Sequence, residues 1–466
     1  MSSELSVSQD WNESQMQEFC VKVADGTHDS PKKTEQGKLL VTSKNIIGGT
    51  LDLTKSYRIS EEDFNDVNRR SKVDINDVLL SMIGTVGEVC LIENEPDFAI
   101  KNVGLLKNHD PLKAKWLYFY LTSPLAQAQI KERLRGTTQQ YLPLGEIRKF
   151  PIIYPESRTV MQEIVGVLAA LQDKIQLNHQ INQTLEQIAQ AIFKSWFVDF
   201  EPVKAKIAAL EAGGSEDDAL LAAMQAISGK TSEDLTRLQT EQPEQYTELR
   251  ATAELFPSAM QESELGELPE GWSVDQLSEL IQFNPRRSLK KGALAPYLDM
   301  KNVPTSGHLA ENVVLREMNS GTKFINGDTL LARITPCLEN GKTAFVDFLE
   351  SGQVGWGSTE YIVMKSKEPY PESISYVIAR DTSFRQHAIQ SMTGTSGRQR
   401  ASAKALAELP WIIYPQALAE AFNRIASPYL RLARSHGNES KSLSAMRDSL
   451  LPKLLSGALK ITTVGT

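Results

Sequence analysis

Apolar residues along the chain keep two different rhythms. Before residue 155, and again from about residue 265 to 415, they come in short runs such as Val78-Leu79-Leu80 and Thr329-Leu330-Leu331, bounded by Gly, Asn and Asp. Runs punctuated in that way predict strands and turns. After Pro155 and Pro415 the rhythm lengthens. Ile164, Leu168, Leu171 and Ile175 step by four, three and four, and Ile181, Leu185, Ile188 and Ile192 repeat those steps after a slip. Leu418, Phe422, Ile425, Tyr429 and Leu432, then Leu443, Met446, Leu450 and Leu454, keep similar steps in the second half. Such stripes predict helices with one apolar seam. At ~1.5 Å per residue the first helix would run on the order of 60 Å, and a seam that long needs a second helix to cover it. The expectation is that the two helices cover each other. Pro428 and Pro452 fall inside the second pattern and should kink or interrupt it.

The two halves also match residue by residue. Val41-Thr42-Ser43-Lys44-Asn45-Ile46 answers to Leu298-Asp299-Met300-Lys301-Asn302-Val303, and Asp77-Val78-Leu79-Leu80 to Asp328-Thr329-Leu330-Leu331. Gly104-Leu105-Leu106-Lys107 lines up with Ile362-Val363-Met364-Lys365, and Gly136-Thr137 with Gly394-Thr395. Pro151-Ile152-Ile153-Tyr154-Pro155 returns as Trp411-Ile412-Ile413-Tyr414-Pro415. Five matches in one order, at offsets between 251 and 260, imply two copies of one module with loop insertions. Thr184-Leu185 and Ser442-Leu443 carry the repeat into the helices.

Composition narrows the class. At about 150 residues per domain, 466 residues suggest roughly three domains. With 41% hydrophobic and 23% charged residues, wholesale disorder is excluded. No apolar run approaches the roughly 18–20 residues of a membrane helix. Met1 to Asp10 is polar, so no secretion signal is expected, and three cysteines without CxxC spacing fit a reducing cytoplasm. The net charge of −8 is unevenly spread. Glu211 to Glu267 holds thirteen acids against Lys230, Arg237 and Arg250, leaving 45 acids and 47 bases elsewhere. That segment reads as an acidic connector, and the balanced remainder leaves DNA open as a partner.

Catalytic motifs are absent. There is no Asp/Asn-Pro-Pro-Tyr/Phe of a base-flipping amino-methyltransferase, no GxGxxG, and no phosphate-cradling GxxxxGK[ST]. Gly341-Lys342-Thr343 has the tail of the last, but Pro336 replaces its first glycine. The six histidines have no helical metal-pair spacing. What remains is polar, basic and loop-borne. Thr27, His28, Lys32 and Lys33 in the first half, and Arg286, Arg287, Lys290 and Lys291 in the second, suit phosphates and base edges. So do the shared Lys44-Asn45 and Lys301-Asn302. Two equivalent tips, Thr137-Thr138-Gln139-Gln140 and Thr395-Ser396 with Arg398-Gln399-Arg400, carry the amide and guanidinium groups that read adenine and guanine. The first tip offers Gln where the second adds Arg, so the copies should read different bases.

These residues resemble the specificity subunits of type I restriction-modification systems. The resemblance rests on Asp25-Gly26-Thr27-His28, Leu268-Pro269-Glu270-Gly271-Trp272, the run Ile192-Phe193-Lys194-Ser195-Trp196-Phe197-Val198-Asp199-Phe200-Glu201-Pro202, and Leu450-Leu451-Pro452-Lys453-Leu454-Leu455-Ser456-Gly457. Two departures stand out. Asp10-Trp11 lacks a preceding Leu-Pro-x-Gly, and Phe283-Asn284-Pro285-Arg286 replaces a second Asp-Gly-Thr-His.

The resemblance implies an α+β chain with two tandem α/β target-recognition domains, each followed by a long helix. The helices would pair as an antiparallel coiled coil with pseudo-two-fold symmetry. The expected layout is recognition domains at 1–155 and 265–415, long helices at 156–202 and 416–460, an acidic connector at 203–264 and a tail at 461–466. Each domain would read one half of a bipartite site in double-stranded DNA, with the helices setting the gap. The chain itself would be non-catalytic and hold no metal or cofactor. Two modification subunits bringing AdoMet, and restriction subunits using ATP and Mg, would complete a cytoplasmic complex. Trp196, Phe197, Phe200, Leu451, Leu454 and Leu455 would dock the modification subunits, the alternative for the three aromatics being that they cap the chain's own core. The competing expectations are a coiled-coil scaffold without base readout and a nuclease with an unrecognised carboxylate site.

Overall fold

The computed structural model describes residues 11–137, 139–395 and 397–459, so the expected tail lies outside the described residues. The chain divides into two units, residues 1–176 with 439–466, and residues 177–438.

The first unit is built on an antiparallel sheet in the order Lys22–Asp25, Val103–Lys107, Val78–Ser81, Val89–Leu91. Its inner strands are the continuous apolar runs of the sequence, and they are buried on both faces. Successive side chains alternate between two cores. Val78, Leu80 and Leu106 pack with the helix Pro111–Thr122, while Leu79 and Leu105 pack with Val41 and Ile100. The latter come from a second sheet, Tyr57–Ile59, Lys38–Thr42, Phe98–Lys101, whose last two strands run parallel. Asp77 sets the turn into the central strand. Its buried carboxylate accepts the Asp74 N–H and a bond from Lys107 Nζ, each at 2.7 Å.

The second unit repeats this plan. Ile281–Phe283, Tyr361–Ser366, Thr329–Ala332 and Thr343–Phe345 form the same antiparallel order. Its companion sheet again has one parallel pair, Leu294–Leu298 with Gly355–Gly357. Asp328 repeats the turn of Asp77, accepting the Ile325 N–H at 2.9 Å, but it pairs with Arg287 rather than a lysine. The repeat offset drops from 257 to 251 between Lys44 and Asp77 for a visible reason. The strand Tyr57–Ile59 has its counterpart in Val314–Glu317, but after it the first unit carries the helix Glu61–Ser71, where the second makes a short turn into Thr322–Phe324.

The acidic stretch between the copies folds into helices Glu201–Glu211, Glu216–Ser228, Ser232–Glu241 and Pro243–Glu254, with Leu220, Ala223, Met224, Leu235 and Ala253 as their core. Several of its acids have a local role. Glu216, Asp217 and Asp218 follow the N-cap Ser215, and Glu233 and Asp234 lie just after the N-cap Thr231. Carboxylates there meet the positive end of the helix dipole.

The long helices span Arg158–Phe197 and Gln416–Leu455. In the first unit, Ile164, Val165 and Leu168 share a core with Leu451, Leu454 and Leu455, and Arg447 bonds Gln172 at 2.7 Å. In the second, Asn182 Nδ2 donates to the Ala433 carbonyl, Asn178 Nδ2 to that of His436, and Phe193 meets Phe422. Partners on the second helix fall in number as those on the first rise, so the pairing is antiparallel. Two details differ from the expected seam. Ile188, Leu432 and Met446 are exposed, and the contact around Asn178 and Asn182 is hydrogen-bonded. The second helix also runs through Pro428 and Pro452 without interruption. Packing of Leu418, Phe422, Leu451 and Leu454 offsets the hydrogen bond that each proline removes.

Candidate nucleic-acid interface

In each unit, most of the candidate loops leave one end of the four-stranded sheet. In the first, strand Lys22–Asp25 ends at the level where Val103–Lys107 begins, and Ser81 ends opposite Val103. Beyond these ends lie Thr27, Asn102 and Ile83. Ile83 bridges Tyr141, at the base of the Gln139-Gln140 tip. The turn holding Lys44 joins them through Ser43 Oγ, which donates to the Asn102 carbonyl at 3.1 Å. In the second unit, Ala332 ends opposite Tyr361, and beyond it Ile334 bridges Arg400 at the base of the other tip. Residues that are remote in sequence are thereby assembled twice over.

The tips are shaped by glycine. Gly136 has φ +89° and Gly394 φ +125°, conformations that L side chains rarely adopt. A Cβ on Gly136 would also lie 2.4 Å from the Gln139 carbonyl oxygen. Thr137, Gln139, Gln140, Thr395 and Arg398 are exposed on these turns. Thr138 and Ser396 lie outside the described residues. Lys32, Lys33, Lys44, Arg286, Lys301 and Arg398 are exposed and form no salt bridge among the described residues. Lys290 and Lys291 are exposed too, but they precede the start of Leu294–Leu298, away from the sheet end.

His28 is exposed yet fixed: its Nδ1 lies 2.8 Å from Asn102 Oδ1 and its Nε2 2.9 Å from Asp25 Oδ2. Arg70 Nη2 donates to the same Asp25 carboxylate at 2.6 Å. A side chain braced in that way can meet a ligand with little loss of rotamer freedom.

Several candidates are used internally. Asn45 is buried, its Oδ1 accepting from the Thr42 N–H and hydroxyl and its Nδ2 donating to the Asp52 carbonyl, so it shapes the turn that presents Lys44. Asn302 is half-buried and donates to the Asn312 carbonyl. Gln399 is half-buried, and its backbone carbonyl, not its side-chain amide, accepts the Thr335 N–H. Arg400 is locked on Glu360 by Nε at 2.9 Å and 3.0 Å and Nη2 at 2.7 Å. That pairing holds the Glu360 carboxyl below its ordinary value.

The six expected docking residues are buried within the chain. Trp196, Phe197 and Phe200 are buried among Trp272, Phe256, Tyr414 and Phe422, with Phe197 and Tyr414 ring centroids 4.4 Å apart. Leu451, Leu454 and Leu455 are buried in the first unit's core. Their apolar surface is consumed by the chain's own fold. Leu177, Ile188 and Leu432 remain exposed on the long helices of the second unit.

Sequence reasoning missed Lys323 and Arg333, which line a polar cleft with Arg287 at the second sheet end. Neither stands in a motif, and only folding brings them to residues 284–287. It also missed Tyr141, exposed at the base of the first tip. Among the described residues, no cluster of His, Cys, Asp and Glu could hold a metal ion, and no helix is long and apolar enough to cross a membrane.

Fold and site together define a duplicated recognition module carried on paired long helices. A family model described as "Type I restriction modification DNA specificity domain" matches residues 8–187. The HindI specificity subunit of Haemophilus influenzae is 32% identical over 345 residues, 71% of this chain and 73% of that protein. The MjaIX specificity subunit of Methanocaldococcus jannaschii is 21% identical, over 82% of this chain and 78% of its own. A crystal structure of a type I system S subunit from M. genitalium aligns with TM-score 0.49 and 14% identity, covering 97% of this chain and 98% of that one. The chain belongs to the type I restriction enzyme specificity subunits.

Proposed function

We propose that the chain supplies DNA sequence specificity to a type I restriction-modification complex and performs no chemistry itself. Recognition domains at 1–155 and 265–415 each read one half of a bipartite site, and the long helices fix the gap between halves. The observation that carries this reading is the doubled sheet end, with exposed His28, Gln139 and Gln140 on one copy and exposed Arg286 and Arg398 on the other. Amide and guanidinium groups pair with base edges, and the lysines beside them neutralise phosphates. Different side chains at equivalent places favour different half-sites.

In this reading the modification subunits bring AdoMet, and the restriction subunits bring ATP-dependent translocation and cleavage with Mg. The exposed Leu177, Ile188 and Leu432 replace the buried aromatics as the candidate docking surface for a modification subunit. Co-expression with the candidate modification subunit, followed by mapping of methylated adenines on a plasmid, tests the proposal. A split motif with a fixed gap is expected. A continuous motif would mean that one domain alone reads DNA, and a stable complex without methylation would favour a scaffold.

A further inference from the structure

We propose that the cleft formed by Arg287, Lys323 and Arg333 grips a phosphodiester of the DNA backbone, so that the second unit is anchored in a way the first is not. The proposal rests on the DNA-reading function above. Arg287 comes from the loop after Ile281–Phe283, Lys323 from the middle of Thr322–Phe324, and Arg333 from the residue after Thr329–Ala332. Arg287 is bridged to Asp328 at 2.8 Å, which fixes its position and offsets its charge. Lys323 and Arg333 form no salt bridge among the described residues; Arg333 feels the Glu360 carboxylate only at a distance, so the lining keeps a net positive charge.

The Nε atoms of Arg287 and Arg333 are both buried and have no hydrogen-bond partner among the described residues. Two buried guanidinium donors in one cleft call for an acceptor from outside the chain. The remaining lining adds the hydroxyls of Thr322 and Thr359, while Asn284 Oδ1 is already taken by the Val363 N–H. A donor-rich recess with surplus positive charge suits a group that is anionic and acceptor-only, and a phosphodiester is both.

Its place gives the contact a use. The Arg333 N–H donates to the Glu360 carbonyl, and the Arg333 carbonyl accepts from Ala401, so the cleft abuts the tip that carries Arg398. A phosphate held there would fix the register of that tip on its bases. The first unit lacks the device. Met82 stands where Arg333 does, one residue beyond the strand end opposite Val103, and it is buried. Lys72, at the place of Lys323, is bridged to Asp74 at 2.9 Å.

The test uses the full chain with its modification subunits on a duplex carrying the mapped site, titrated at several salt concentrations. Arg333→Met installs the first unit's residue, and Lys323→Gln removes a charge from a half-exposed position. Each should weaken binding about ten-fold or more and make the slope of log K against log salt shallower by about 0.9. The methylated motif should be unchanged in both halves. Relaxation of the second half-site would make the cleft a base reader and overturn the proposal. Unchanged affinity and slope in a variant that melts like the parent would overturn it as well. Lys323→Gln alone decides the matter if Arg333→Met melts early. Failure of the underlying reading looks different, because the unaltered complex would then show no split motif.

Discussion

Tyr141 and Arg400 hold the same place in the two copies: Tyr141 bridges Ile83 and Arg135, and Arg400 bridges Ile334 and Thr393. The residues just before the equivalent strands Val103–Lys107 and Tyr361–Ser366 differ in a matching way. Asn102 in the first copy braces His28, while Glu360 in the second braces Arg400. The second copy therefore has no need of an Asp-Gly-Thr-His segment, because its sheet end is tied together from the other side. In the proposed reading Arg400, paired with Glu360, positions the tip, and Arg398 is its exposed guanidinium. Arg398→Ala should relax one base position of the second half-site, by about ten-fold or more in discrimination, with the first half-site intact. Arg400→Ala and Glu360→Gln should instead resemble each other and lower methylation without a new preference. Motif mapping separates the two patterns, and a distinct new motif for Arg400→Ala alone would make Arg400 a direct reader.

The same pair gives the second tip a pH dependence. Hydrogen bonding from Arg400 holds the Glu360 carboxyl below its ordinary value of 4.5, so the folded state favours the ionised form more than the unfolded chain does. The stabilisation is present above that ordinary value and is lost as pH falls through the lower folded one. Melting curves from pH 7 down to about 3 should show wild type ahead of Glu360→Gln at neutral pH, with the gap closing only below the ordinary glutamate range. A gap that persists undiminished at pH 3 would remove ionisation as its cause.

Burial of Trp196 and Phe197 predicts a folding defect. Truncation of either to Ala opens a cavity between Phe256, Tyr414 and Phe422 and should cost about 3–5 kcal/mol. Denaturant titration and limited proteolysis would register this in the chain alone. Ile188→Asp and Leu432→Asp should leave the melting curve near that of wild type while reducing co-purification of the modification subunit. Normal folding of Trp196→Ala with loss of the partner would restore the aromatics to the docking surface.

What the sequence disclosed follows the range of each interaction. Asp77 and Asp328 announced the repeat because a carboxylate closing a turn onto an N–H three residues earlier is a local device, legible wherever it recurs. The long helices were legible because their period is written along one segment. The core position of Trp196 could not be decided from the sequence because the groups that bury it, Phe256 and Phe422, lie far along the chain. The mid-helix contact was hidden for a related reason: Asn178 and Asn182 look like solvent-facing residues until the His436 and Ala433 carbonyls arrive opposite them. Lys323 and Arg333 acquire meaning only beside Arg287, from which they are separated by whole strands.

The proposed ruler makes a final demand on the long helices. The two units divide between Gln176 and Leu177 on the first helix and between Asn438 and Glu439 on the second. One heptad added at each place keeps the pairing face nearly in phase, since seven residues are close to two turns, and lengthens each helix by about 10 Å. At roughly 3.4 Å per base pair that corresponds to about three base pairs of B-form DNA. The methylated motif should keep both half-sites, because none of the loops at either sheet end is touched, and its gap should lengthen by two to four positions, about the size of the insertion. Altered half-sites with a constant gap would mean that the helices do not measure distance at all.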